Sequence, residues 1–101
     1  MRHAAKVDDN QKDLVAQLRK AGYSVRHTHQ IGQGFADIVV GHKGVNFLFE
    51  IKDCRKPPSQ RKLTELEQKF HGEWSGQVGV VCTLEDVENH IKLFFDRLII
   101  N

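Results

Sequence analysis

Apolar residues along the chain switch between two periods. Between Asn10 and Lys20 they fall at Leu14, Val15 and Leu18, the spacing of one helical face. Asp8 or Asp9 is placed to cap that helix and Gly22 to stop it. Gln11, three and four residues ahead of the stripe, points to the same core side. From Tyr23 to about His29 the period shortens to two, with Tyr23, Val25 and His27 on one face of a strand. The stretch QIGQG, residues 30–34, reads as a flexible turn. Strands over Phe35–Val40 and Val45–Asp53 then flank Gly41-His-Lys-Gly44, a hairpin signal. CRKPPSQRK is a loop by its prolines and charge. Thr64 and Glu67 form a capping box for a helix reaching about Trp74. Gln77–Cys82 has the composition of a buried strand, and Thr83 with Asp86 opens a last helix from Leu84 to about Phe95.

The order α-β-β-β-α-β-α describes a three-stranded meander followed by a helical crossover to a fourth strand. That predicts an α/β fold with a mixed central sheet flanked by helices. A chain of 101 residues makes one domain, 1–101, with a single modest core. A hydrophobic fraction of 40% with 28% charged residues excludes a disordered chain. No apolar run approaches the roughly 20 residues of a membrane span. The opening MRHAAKVDDNQKD lacks the apolar segment of a secretory signal, so a cytoplasmic location is the default expectation.

Cys54 and Cys82 make neither a disulfide framework nor a zinc spacing, and two reduced thiols on or beside strands are expected. His27 and His29 are two apart on a strand, with no Cys/His pair near them in sequence to complete a structural zinc site. A net charge of +2 excludes a polycation. Its distribution is more telling: Lys52, Arg55, Lys56, Arg61 and Lys62 fall close together, offset by Asp53. Such a run is either a solvated loop or a surface that follows phosphates.

Alternation along the third strand separates Phe47, Phe49 and Ile51 from Leu48, Glu50 and Lys52. If His42 and Lys43 form a two-residue turn, Asp37 lies opposite Leu48; with a four-residue loop it lies opposite Glu50. Either register puts Asp37 on the face of Glu50 and Lys52, and a single bulge would undo this. Two carboxylates so placed repel unless something positive sits between them. Lys52 alone could serve, as a structural ion network. A divalent cation suits the set better: Asp37, Glu50 and the Ile51 backbone carbonyl supply the hard oxygens that Mg²⁺ prefers. Lys52 beside it would orient a water or stabilise charge on a phosphate.

The text "ADIVVG…NFLFEIKD" resembles the core of the PD-(D/E)xK nuclease superfamily. "QKDLVAQLRKAGY" before it and "LTELEQKFHGEWSGQVGVV" after it are similar to stand-alone VRR-NUC and archaeal Holliday-junction-resolvase-like domains, over residues of about 9–90. The resemblance implies a restriction-endonuclease-like α-β-β-β-α-β core with catalytic Asp37, Glu50 and Lys52. It departs from the family at Ala36, where proline is usual, and at Gln11, which stands where the family has a glutamate. A glutamine can orient a water but brings no charge. Gln68, and next to it Glu67, falls near the family's helical glutamine.

The resemblance further implies a Mg²⁺- or Mn²⁺-dependent endodeoxyribonuclease, without organic cofactor or membrane, acting on branched or nicked DNA as a homodimer. A bacterial or phage-infected cytoplasm suits the family's small members. Lys43, Arg55, Lys56, Arg61 and Lys62 are expected at phosphates, with His27 and His29 lining the groove. The apolar C-terminus, Phe94, Phe95, Leu98, Ile99 and Ile100, would form the dimer contact or cap the core. The alternative is a nuclease-fold nucleic-acid-binding module weakened in catalysis, with Gln11 as its trace.

Overall fold

The computed structural model describes residues 8–100, apart from the side chain of Ile100. Helix α1 spans Asp9–Lys20 and buries Gln11, Leu14, Val15 and Leu18, one continuous stripe. Asp8 holds the N-cap position, yet its side chain makes no capping hydrogen bond. The helix ends where the Tyr23 N–H bonds the Leu18 carbonyl and the Gly22 N–H bonds the Arg19 carbonyl. This closing geometry needs a left-handed residue, and Gly22 supplies it with φ of 101°.

Four strands follow, β1 (Ser24–His27), β2 (Ile38–His42), β3 (Val45–Ile51) and β4 (Val78–Val81). Their spatial order is the chain order; β1–β2 and β2–β3 are antiparallel and β3–β4 parallel. Helix α2 (Glu65–Glu73) lies in the β3–β4 crossover and α3 (Leu84–Ile100) closes the chain. The described residues thus form a small α/β domain with a four-stranded mixed sheet and three helices.

Several boundaries differ from those expected. β1 stops at His27, and His29–Ile31 form a 3-10 turn. β2 begins at Ile38 because Phe35 packs away from the sheet, its ring 4.9 Å from Phe70. α3 continues past Phe95 to Ile100. The β2–β3 turn is Lys43-Gly44, with His42 paired to Val45. Both turn residues have positive φ, 50° and 80°, the mirror-image turn that matches the twist of the strands. The paired register ends with Ile38 opposite Phe49, and the Asp37 N–H bonds the same Phe49 carbonyl, so Asp37 stands just outside the regular ladder.

One sheet face carries the core. Ile38, Val40, Phe47, Phe49 and Ile51 pack with Leu14, Val15 and Leu18 of α1 and Val87 and Ile91 of α3. Burying each phenylalanine contributes about 2–3 kcal/mol. Glu50 and Lys52 belong to the opposite face, where the first turn of α2 approaches the open end of β3 through Glu67.

The expectation of two reduced thiols is overturned: Cys54 and Cys82 form a disulfide, with Cα atoms 5.7 Å apart. The cause is the crossover. Parallel pairing of Ile51 with Val81 brings the ends of β3 and β4 side by side, although 28 residues separate the cysteines in sequence. Among the described residues no helix is long and apolar enough to cross a membrane.

Candidate active site

Where β2 begins and β3 ends, a cavity of about 350 Å³ opens, lined by Gln11, His29, Asp37, Glu50, Lys52 and Glu67 among others. Each side chain arrives by a local rule. Asp37 sits just before β2; its backbone N–H bonds the Phe49 carbonyl at 3.0 Å, and its carbonyl accepts the Thr28 N–H at 2.8 Å. Its Oδ2 accepts the Ile51 N–H at 2.7 Å, so the carboxylate completes the ladder where β2 runs out. Glu50 and Lys52 follow from strand alternation. The Lys52 N–H is held by the Val81 carbonyl at 2.9 Å, and the Lys52 carbonyl accepts from Asn10 at 3.1 Å.

Glu67 is the residue that sequence reasoning underweighted. It stands third in α2, where the capping box with Thr64 fixes it: its Oε1 accepts the Thr64 N–H at 2.9 Å. The same oxygen lies 3.0 Å from Lys52 Nζ, closer than Glu50 Oε2 at 3.7 Å. Gln68, one position on, is exposed and donates to the Leu63 carbonyl at 3.1 Å, so it does not enter the cavity. The signal for Glu67 was present in the Thr64…Glu67 spacing. Gly34 permits the approach of this helix: it has φ of 80°, and a Cβ there would meet the Leu66 backbone and come within 2.8 Å of the Glu67 nitrogen.

The electrostatics are dominated by crowding of carboxylates. Glu50 is only 4% exposed, and its Oε1 is buried without a hydrogen-bond partner. Burial first, then the neighbouring Asp37 and Glu67 carboxylates, pushes the Glu50 carboxyl up to about 9. Burial works against the charge of Lys52, but the Glu67 hydrogen bond and the surrounding carboxylates outweigh it and raise the ammonium above its ordinary value. Burial likewise opposes ionisation of Glu67, yet the Thr64 N–H and Lys52 hold its carboxyl below its ordinary value. Lys52 and Glu67 are therefore a charged pair, while Glu50 keeps its proton unless a cation arrives.

That arrangement fits a hard divalent cation. The orphaned Glu50 oxygen, Asp37 beside it and the backbone carbonyl of Ile51 in the same cavity are the oxygens that could hold such an ion. A cation there would remove the penalty that now protonates Glu50.

Gln11 is buried, as its helical phase demands, and bonds His27 Nδ1 at 2.9 Å and the Asp37 carbonyl at 3.4 Å. Burial, helped by repulsion from His29 and Arg19, lowers the His27 pKa and keeps the ring neutral, as an acceptor at Nδ1 must be. Gln11 thus braces the Asp37 backbone from α1. His29 lines the cavity, and both its ring nitrogens are buried without a partner. Asp8 lines it too, which is where the expected capping side chain has gone.

The basic residues divide. Lys56 lines the cavity, and Lys62 is exposed on the same loop. Arg61 is half-buried, its Nε buried and unpartnered. Arg55 is engaged by Asp53, with Nη2 2.9 Å from Oδ2, and this pairing holds the Asp53 carboxyl down at about 2. Lys43 sits at the other end of the hairpin, 5.8 Å from the Phe95 ring. At the C-terminus Phe94 and Phe95 pack on the core, whereas Leu98 and Ile99 are 60% and 83% exposed; the Ile100 side chain lies outside the described residues. No protein-family model matches this chain, and no curated protein matches it significantly.

Proposed function

We propose that this chain is a Mg²⁺- or Mn²⁺-dependent endonuclease with a restriction-endonuclease-like core, hydrolysing phosphodiester bonds in DNA. The observation that supports it best is the convergence of Asp37, Glu50 and Lys52 in one cavity, with a buried Glu50 oxygen left unpartnered among carboxylates. Asp37, Glu50 and the Ile51 carbonyl would hold the ion. Once bound, it supplies polarisation of a phosphate oxygen and acidification of a water.

The chain's own residues supply the rest. Lys52, kept charged by Glu67 at 3.0 Å, directs its N–H bonds at the attacking water or at the phosphate oxygens as charge builds there. Gln11 holds the Asp37 backbone in place through the Asp37 carbonyl. Lys56 at the cavity, with Arg61 and Lys62 on the same loop, offers charge to neighbouring phosphates. Lys43 lies about 20 Å away along the hairpin and would touch a different stretch of duplex. His27 is committed to Gln11, so His29 is the histidine available to line the groove.

Contacts of this kind read backbone and shape rather than base edges, which favours branched or nicked DNA. A homodimer joined through the exposed Leu98 and Ile99 end of α3 would present two such cavities; a monomer by sedimentation at micromolar concentration would sink that part. The setting we propose is cytoplasmic.

The test is cleavage of branched, nicked and linear DNA with Mg²⁺ or Mn²⁺. Lys52→Ala is expected to lower the rate at least about a hundredfold while leaving DNA binding within a few-fold. The second reading, a nucleic-acid-binding module weakened in catalysis, draws on the neutral Gln11 on α1. Metal-independent DNA binding with no cleavage of any substrate would select it.

A further inference from the structure

Away from the catalytic cavity, Cys54, Cys82 and Asp86 meet where β3 and β4 end and α3 begins. Their ligand atoms all lie within 4.8 Å of one another. The three come from separate places in the fold: the segment after Lys52, the residue after β4, and the first turn of α3. The carboxylate is held in place by its own backbone, Oδ2 accepting the Cys82 N–H at 2.8 Å and the Thr83 N–H at 3.1 Å. Both bonds fall on Oδ2, so Oδ1 is the oxygen free to turn toward the sulfurs. Cys82 precedes the N-terminus of α3, where the helix end favours a thiolate. Cys54 is exposed, and a surface groove lined by Asp13, Asp53 and both cysteines leads to the pair.

We propose that this cluster is a redox-gated zinc site: oxidised it is a disulfide, and reduced it binds Zn²⁺ through the Cys54 and Cys82 thiolates and Asp86 Oδ1. Zinc takes sulfur at about 2.3 Å and oxygen at about 2.0 Å. Tetrahedral ligands then stand roughly 3.5–3.8 Å apart, which small side-chain rotations reach from this arrangement. A Cα separation of 5.7 Å accommodates either crosslink. The exchange balances with a cellular dithiol as reductant. The S–S bond breaks, two electrons and two protons pass to the sulfurs, and the dithiol leaves as its own disulfide. Zinc then displaces both thiol protons to solvent, and a water fills the fourth position. In either state the ends of β3 and β4 stay tied two residues beyond Lys52. In a reducing compartment, where the disulfide does not persist, the metal form takes over the tie.

The experiment uses the full chain reduced with a phosphine, then titrated with Co²⁺ and Zn²⁺ without oxygen. One equivalent of Co²⁺ is expected, with intense thiolate-to-cobalt absorption that Zn²⁺ abolishes. The oxidised chain should show none. Cys54→Ser and Cys82→Ser should each weaken Zn²⁺ binding at least about a hundredfold, and Asp86→Asn roughly tenfold. The absorption separates this site from the Asp37–Glu50 pair, which offers oxygen alone. If a cysteine variant fails to fold, alkylation of the reduced wild type decides: one equivalent of Zn²⁺ should protect Cys54 at least about tenfold. Cobalt bound without thiolate absorption, or alkylation unaffected by zinc, would overturn the proposal. The outcome is independent of whether the chain cleaves DNA.

Discussion

The two faces of β3 carry the same backbone and opposite solutions to burial. Phe47, Phe49 and Ile51 on one face pack among apolar neighbours from the helices and sheet, with the His90 ring edge-on to Phe49 at 5.1 Å. Glu50 on the other is as deeply buried, yet leaves an oxygen unpaired and shares its space with Asp37 and Glu67. The first face lowers the free energy of the fold. The second is tolerated because the first has already set the strand in place.

Breaking the apolar face should have the largest effect. Phe49→Ala leaves a cavity in an inner strand and should cost about 3–5 kcal/mol in urea unfolding, with loss of any activity because Glu50 is its neighbour on that strand. A variant that unfolds like the wild type would mean β3 is not held by that face. Next comes the crosslink at the strand's charged end. Reducing Cys54–Cys82 in the presence of a chelator opens a loop closed over 28 residues and should cost about 3–4 kcal/mol, read by denaturation with and without reductant. An unchanged midpoint would show that the β3–β4 pairing holds that end unaided.

The effect on the charged face depends on pH. Glu50 has an ordinary value of 4.5 and is pushed up to about 9 in the folded chain. Between these values the folded state binds a proton that the unfolded state has released, so metal-free stability falls as pH rises through that window. Glu50→Gln removes the slope, so at pH 8 it should melt above the metal-free wild type, and by less at pH 5, in thermal denaturation. Parallel wild-type and variant profiles would mean that Glu50 is not held protonated.

The site shows how far a single chain of residues can be read. Strand parity puts Asp37, Glu50 and Lys52 on one face, because the two hairpin registers differ by an even number of residues. The turn that forms, Lys43-Gly44, is neither the His42-Lys43 turn nor the four-residue loop, because Lys43 adopts a positive φ that its side chain does not advertise. Gln11 was placed by helical phase alone and is buried as expected. Glu67 and Gln68 differ by one step of about 100° around α2. Only the docking of that helix against β3, permitted by Gly34, decides which of them faces Lys52.

Local periodicity and capping chemistry therefore determined, by themselves, the seven elements, the buried stripe of α1, the Thr64–Glu67 and Thr83–Asp86 boxes and the shared face of the charged residues. These depend on neighbours a few positions apart, where backbone geometry leaves little choice. The tertiary structure alone decided the turn register, the partner of Lys52, the protonation of Glu50 and the pairing of Cys54 with Cys82. Each of those depends on how close the crossover brings groups distant in sequence, and distance in space is what sets charge coupling and bond formation.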